Sequence, residues 1–111
     1  MDKIVEAFHP YIAPHAHFDL VLSKYGPVYV YPVDRKGECH EAEVLDSPKR
    51  VVEEIAFQMV CDQMEGTSLD RTAPTEEEKE TVRTRFHSFV DGSEFATESM
   101  AMLESYLNSW K

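Results

Sequence analysis

Glycine is scarce: the chain has four, at positions 26, 37, 66 and 92, and none belongs to a Gly-x-Gly or Gly-x-x-x-x-Gly-Lys loop. Backbone cradles for phosphate are built from such loops, so chemistry on a nucleotide-binding cofactor fold is excluded. Cysteine is scarcer still. Cys39 and Cys61 form no Cys-x-x-Cys pair, which removes zinc ribbons and dithiol redox motifs and fits reduced thiols in a cytoplasm. No His-Glu-x-x-His or nucleophile-elbow pattern is present either. Apolar runs are short, nowhere near the roughly 20 residues that cross a bilayer. The first charged residues, Asp2, Lys3 and Glu6, do not resemble the basic start of an export signal, so a cytoplasmic protein with neither anchor nor leader is expected.

Basic residues are also in short supply, 11 Lys and Arg against 21 Asp and Glu, for a formal net charge of −10. Phosphate contact needs clustered cations, so direct binding to nucleic acid or an anionic membrane is not expected. The acids are distributed along the sequence, with Glu76 to Glu78 the longest unbroken run, and read as a solvated surface.

What the chain does have is an ordinary globular composition, 42% hydrophobic and 11% aromatic over 111 residues. That is enough to bury one core unaided, and residues 1–111 are expected to form a single α+β domain. Ile4, Val5, Phe8, Tyr11 and Ile12 recur at helical spacing, but Pro10 interrupts them, so a short N-terminal helix ending near Phe8 is expected. Three β-type runs follow, at 17–23, 28–33 and 39–45, separated by short Gly-containing breaks. They read as a three-stranded antiparallel meander. If Ser23 faces Val28 and Asp34 faces Cys39, one sheet face collects Phe18, Leu20, Leu22, Tyr29, Tyr31, Val33, His40, Ala42 and Val44. Pro32 then falls in the central strand, where its missing N–H predicts a bulge or an early strand end.

Three helices are expected after the sheet. Ser47 and Pro48 supply an N-cap and a first-turn proline, and Gly66 a stop. Val51, Val52, Ile55, Ala56, Phe57, Met59, Val60, Cys61 and Met64 cover so much of that helix that burial on two sides is expected, between the sheet and the C-terminal helices. Thr75 and Glu78 form a capping box for the next helix, whose apolar stripe is Val82, Phe86, Phe89 and Val90. The last helix presents Phe95, Met102, Leu103, Tyr106, Leu107 and Trp110 on one face, and the two form an antiparallel hairpin.

The feature closest to a chemical motif is "HPYIAPHAH", residues 9 to 17, which holds three of the five histidines. On a strand His15 and His17 share a face, and the expected register aligns His17, Asp34 and Cys39 across the sheet. An imidazole, a carboxylate and a thiol in a row, with His15 or Glu41 completing the shell, are a zinc-type donor set. The simpler reading makes His17 and Asp34 an ordinary cross-strand pair and leaves the protein without a cofactor. His40, His87 and His9 read as structural boundary residues.

These features converge on a non-enzymatic protein that acts by binding another protein, self-association included. The expected outer sheet face carries Val21, Val28, Val30 and Leu45, an apolar patch that either the N-terminal segment or a second chain must cover. The alternatives are the metal- or thiol-dependent site at His15, His17, Asp34 and Cys39, and an acidic inhibitor that mimics nucleic acid toward a basic protein.

Overall fold

The computed structural model describes residues 2–14, 18–22, 24, 28–32, 43–64 and 74–110. Among them the chain is a mixture of helix and short strand: α1 (Asp2–Ala7), α2 (His9–Ile12), β1 (Phe18–Leu22), β2 (Val28–Pro32), β3 (Glu43–Leu45), α3 (Pro48–Met64), α4 (Glu76–Val90) and α5 (Ala96–Asn108). Backbone proximity divides it into two units, Met1–Val51 and Val52–Lys111.

In the first unit the N-terminal segment is two helices where the sequence suggests one. The Phe8 N–H still donates to the Ile4 carbonyl at 3.1 Å, closing the first helix, and the Tyr11 and Ile12 N–H groups then donate to the Phe8 carbonyl at 2.9 Å. Pro10 occupies the first turn of α2, where a helix needs no amide donor, so it restarts the helix that it interrupts. Ile4, Val5, Phe8, Tyr11 and Ile12 are all buried. The Tyr11 ring tilts against Phe18 of β1 with centroids 6.0 Å apart, which sets the N-terminal segment on that face of the sheet.

The strands pair antiparallel in the order β1-β2-β3. Phe18 pairs with Pro32, Leu20 with Val30 and Leu22 with Val28. Val28 pairs with Leu45, Tyr29 with Val44 and Val30 with Glu43. The β2/β3 pairing follows the turn geometry read from the sequence, whereas β1/β2 is displaced from it by one residue. Because side chains alternate, that single step reverses β2 and β3 relative to β1. Val30 and Leu45 therefore join Phe18 and Leu20 as buried residues, while Leu22 and Val44, assigned to the apolar face from the sequence, are 38% and 46% exposed. The physical reason lies in which residues bury well. This register sets Val30 opposite Leu20, so that two aliphatic side chains are buried together. Pro32 is the last residue of β2 and sits opposite the first residue of β1, away from the middle of the ladder.

The remaining elements are helices: α3, which begins in the first unit and runs into the second, then α4 and α5. The expected start of α3 is present: the Arg50 N–H donates to Ser47 Oγ at 3.3 Å and Pro48 is the first helical residue. Val51, Val52, Ile55, Ala56, Met59 and Val60 are fully buried, an arc of about half the circumference at 100° per residue. Phe57 and Cys61, expected inside, are exposed, so burial on two sides gives way to one broad buried face.

The α4 capping box is complete. The Glu78 N–H donates to Thr75 Oγ1 at 3.1 Å, and the Thr75 N–H donates back to Glu78 Oε1 at 2.8 Å. Thr75→Ala removes the Oγ1 acceptor and is expected to lower stability by about 1 kcal/mol in urea unfolding; an unchanged midpoint would contradict the cap. Val82, Phe86 and Val90 are fully buried along α4. Gly92, at φ 80°, makes the turn into α5 in a conformation that side chains rarely adopt. The hairpin is then cross-linked by charge. Arg83 donates through Nε to Glu104 and through an Nη to Glu80 at 3.2 Å. Lys79, only 8% exposed, donates to the Trp110 carbonyl and to Glu76, each at 3.3 Å, which sets a cation at the carbonyl end of α5. Ser99, Leu103 and Leu107 form the buried stripe of α5, narrower than expected, for Phe95, Met102, Tyr106 and Trp110 are half-buried.

Candidate functional site

The donor set read from the sequence, His15, His17, Asp34 and Cys39, lies outside the described residues, as does His40. Among the described residues no three His, Cys, Asp or Glu side chains stand close enough to hold a metal ion. His9 is exposed at the start of α2. His87 is exposed near the end of α4, its Nε2 3.8 Å from Asp91 Oδ1, one helical turn on. A contact of that length between exposed groups adds little.

The apolar residues assigned to an interface are separated by the register. Val30 and Leu45 are each 1% exposed and are not available to a partner. Val21 remains outward at 42% exposure. Val28 pairs with Leu45 on one side and with Leu22 on the other. Leu22, at 38%, and Val44, at 46%, are the other exposed large apolar residues of the described strands.

A second exposed apolar group was missed from the sequence because its residues were assigned to the core. Phe57, 41% exposed, and Cys61 stand one turn apart on α3, with Met64 half-buried one turn further. Three positions at i, i+4 and i+7 share a helix face. From α5, Tyr106 reaches the same neighbourhood. Burial pushes its phenol up to about 12, the Trp110 indole N–H offsets part of that, and the charges of Cys61, Glu54 and Glu53 add to it. The Trp110 ring meets Tyr106 edge-on at 6.1 Å.

The folded chain holds the Tyr106 proton more tightly than the unfolded chain, whose tyrosine ionises near 10. Stability from the neutral phenol is thus complete below about pH 10 and is lost as pH rises toward about 12. Urea unfolding at about pH 9 and about pH 11 is expected to show a larger loss for the natural chain than for Tyr106→Phe. Equal losses would mean that Tyr106 is not buried.

Charge is distributed unevenly between the two units. Residues 1–51 carry six Lys and Arg against eight Asp and Glu, a net of −2; residues 52–111 carry five against thirteen, a net of −8. The even spread along the sequence thus resolves into a nearly neutral unit and a strongly acidic one. Ion pairs absorb some of these acids: Arg85 reaches Asp62 at 3.7 Å, and Glu104 raises the Arg83 guanidinium above its ordinary value chiefly through their hydrogen bond. Glu76 and Asp91 have side chains 83% and 74% exposed, open to solvent. A shallow depression of about 380 Å³ on α4 is lined by Glu77, Glu80, Thr81, Thr84 and Arg85. These residues all lie on one helix, so no catalytic groups converge there from separate elements.

No family model, curated protein or solved structure matches the chain. Among the described residues no helix is long and apolar enough to cross a membrane.

Proposed function

We propose that this is a non-enzymatic cytoplasmic protein that works by binding another protein. One observation carries the reading: the helical unit combines a net charge of −8 with a large aromatic side chain, Phe57, left 41% exposed on a regular helix. A solvated surface alone accounts for the acids. It does not account for Phe57 beside Cys61 and a half-exposed Met64, since large apolar groups gathered on one face mark interaction sites more often than single scattered ones do.

The test is a matched pair of baits. The natural chain and Phe57→Ser, both shown folded by circular dichroism, are compared for proteins retained at about 0.15 M salt, alongside sedimentation velocity over a range of concentrations. A partner held by the natural chain and lost from the variant supports the reading, as does self-association that the variant abolishes. Identical retained sets together with a strictly monomeric chain would overturn it. The concentration of acids in one unit also favours a second reading, in which the acidic surface acts as an inhibitor of a basic nucleic-acid-binding protein. That reading predicts binding that weakens steeply with salt and that nucleic acid competes away.

A further inference from the structure

We propose that the face of α3 formed by Phe57, Cys61 and Met64, with Tyr106 of α5 beside it, is the docking site for a basic amphipathic helix of a partner protein. The inference rests on the protein-binding reading above and specifies the partner's chemistry. A helix laid against another helix is read through residues at i, i+3, i+4 and i+7, and this face offers apolar positions at that spacing. Its members suit the role. A methionine and a thiol adapt to the shape of an incoming side chain, and the two rings supply area with little rotamer entropy to lose.

Charge selects the occupant. Glu53, one turn before Phe57, and Glu54 flank the face, and the unit around them is at −8. A second copy of this chain would bring a like-charged surface against its own, and an acidic helix would do the same. Lys and Arg on the edges of an apolar stripe instead meet Glu53 and Glu54 with opposite sign. Nucleic acid and anionic lipid are repelled by the same field.

The probe is a synthetic peptide of about 18 residues with Leu at helical spacing and Lys elsewhere, long enough for five turns. Two controls accompany it: a scrambled peptide of the same composition and one with Glu in place of Lys. Binding is followed by fluorescence anisotropy at about 0.15 M salt, and its location by the rate at which iodoacetamide alkylates Cys61, read by mass spectrometry. The patterned basic peptide is expected to bind, to slow alkylation of Cys61 several-fold, and to bind about tenfold more weakly to Phe57→Ser and to Glu53→Lys, a loss of about 1.4 kcal/mol. Val44→Ser, on the sheet, is expected to bind as the natural chain does. Equal binding by the scrambled peptide, unslowed alkylation of Cys61, or unchanged affinity in both α3 variants would overturn the proposal. So would a dimer of the natural chain that protects Cys61 with no peptide present and is lost in Phe57→Ser. That last result would leave the protein-binding reading intact and replace the basic helix by a second copy.

Discussion

Phe86→Ala is expected to destabilise the helical unit by about 3–5 kcal/mol, enough to unfold it wholly or nearly so, because a fully buried ring leaves a cavity that a helical hairpin cannot close without moving α4. Phe57→Ala removes the same atoms from a site that is 41% exposed, and alanine is the better helix former. Its expected cost is about 1 kcal/mol or less. Urea unfolding of the two variants side by side is therefore a test of which phenylalanine is structural. Equal costs would mean that α3 turns a different face to solvent, and the docking face would lose its basis.

Val30→Asp is the second large effect. Val30 is 1% exposed and paired with Leu20 in the covered layer, so the substitution buries a carboxylate with no cation provided for it. A loss of about 3 kcal/mol or more is expected, or a chain that does not fold at neutral pH. Val44→Asp is the control. It lies on the neighbouring strand at 46% exposure, and its expected cost is within about 1 kcal/mol, the ordinary range for a strand surface. The register expected from sequence requires the opposite ranking, since it turns Val44 inward and Val30 outward. Thermal unfolding of the pair distinguishes the two.

The contrast between those valines shows where local reading succeeds and where it stops. Helix starts were legible because a cap is a local bargain between a side-chain oxygen and an amide two or three residues on; Ser47 with Pro48 and Thr75 with Glu78 are all visible in the string. Sheet register is not local. It was inferred from turn length, and between Leu22 and Val28 one residue of turn decides which set of side chains the core receives. The choice is made by burial of Val30 and Leu45 together with Phe18 and Leu20, contacts between strands that periodicity within a strand cannot reveal. Pro10 misled in a different way: a proline ends one helix and is equally at home in the first turn of the next. On α3 the apolar residues outnumber what one face can hold, and composition gives no means of choosing which two, here Phe57 and Cys61, remain outside. That excess was nevertheless the signal for the candidate site, because a helix with more apolar residues than its packing uses has a surface left to offer. The histidine-centred set was legible as donor chemistry alone, and His15, His17, Asp34 and Cys39 lie outside the described residues.

Among the described residues the apolar surface open to a partner is Phe57 on the helical unit and Val21, Leu22 and Val44 on the sheet, with Val30 and Leu45 sealed inside. Single cysteines introduced at Val21, Val30, Val44, Leu45 and Phe57, in a background where Cys39 and Cys61 are serine, measure this directly through their rates of alkylation. Positions 21, 44 and 57 are expected to react nearly as fast as in the unfolded chain, and 30 and 45 slower by about a hundredfold or more, as opening of the fold then limits them. Rapid reaction at 30 or 45, or protection at 57 in the isolated monomer, would contradict the account.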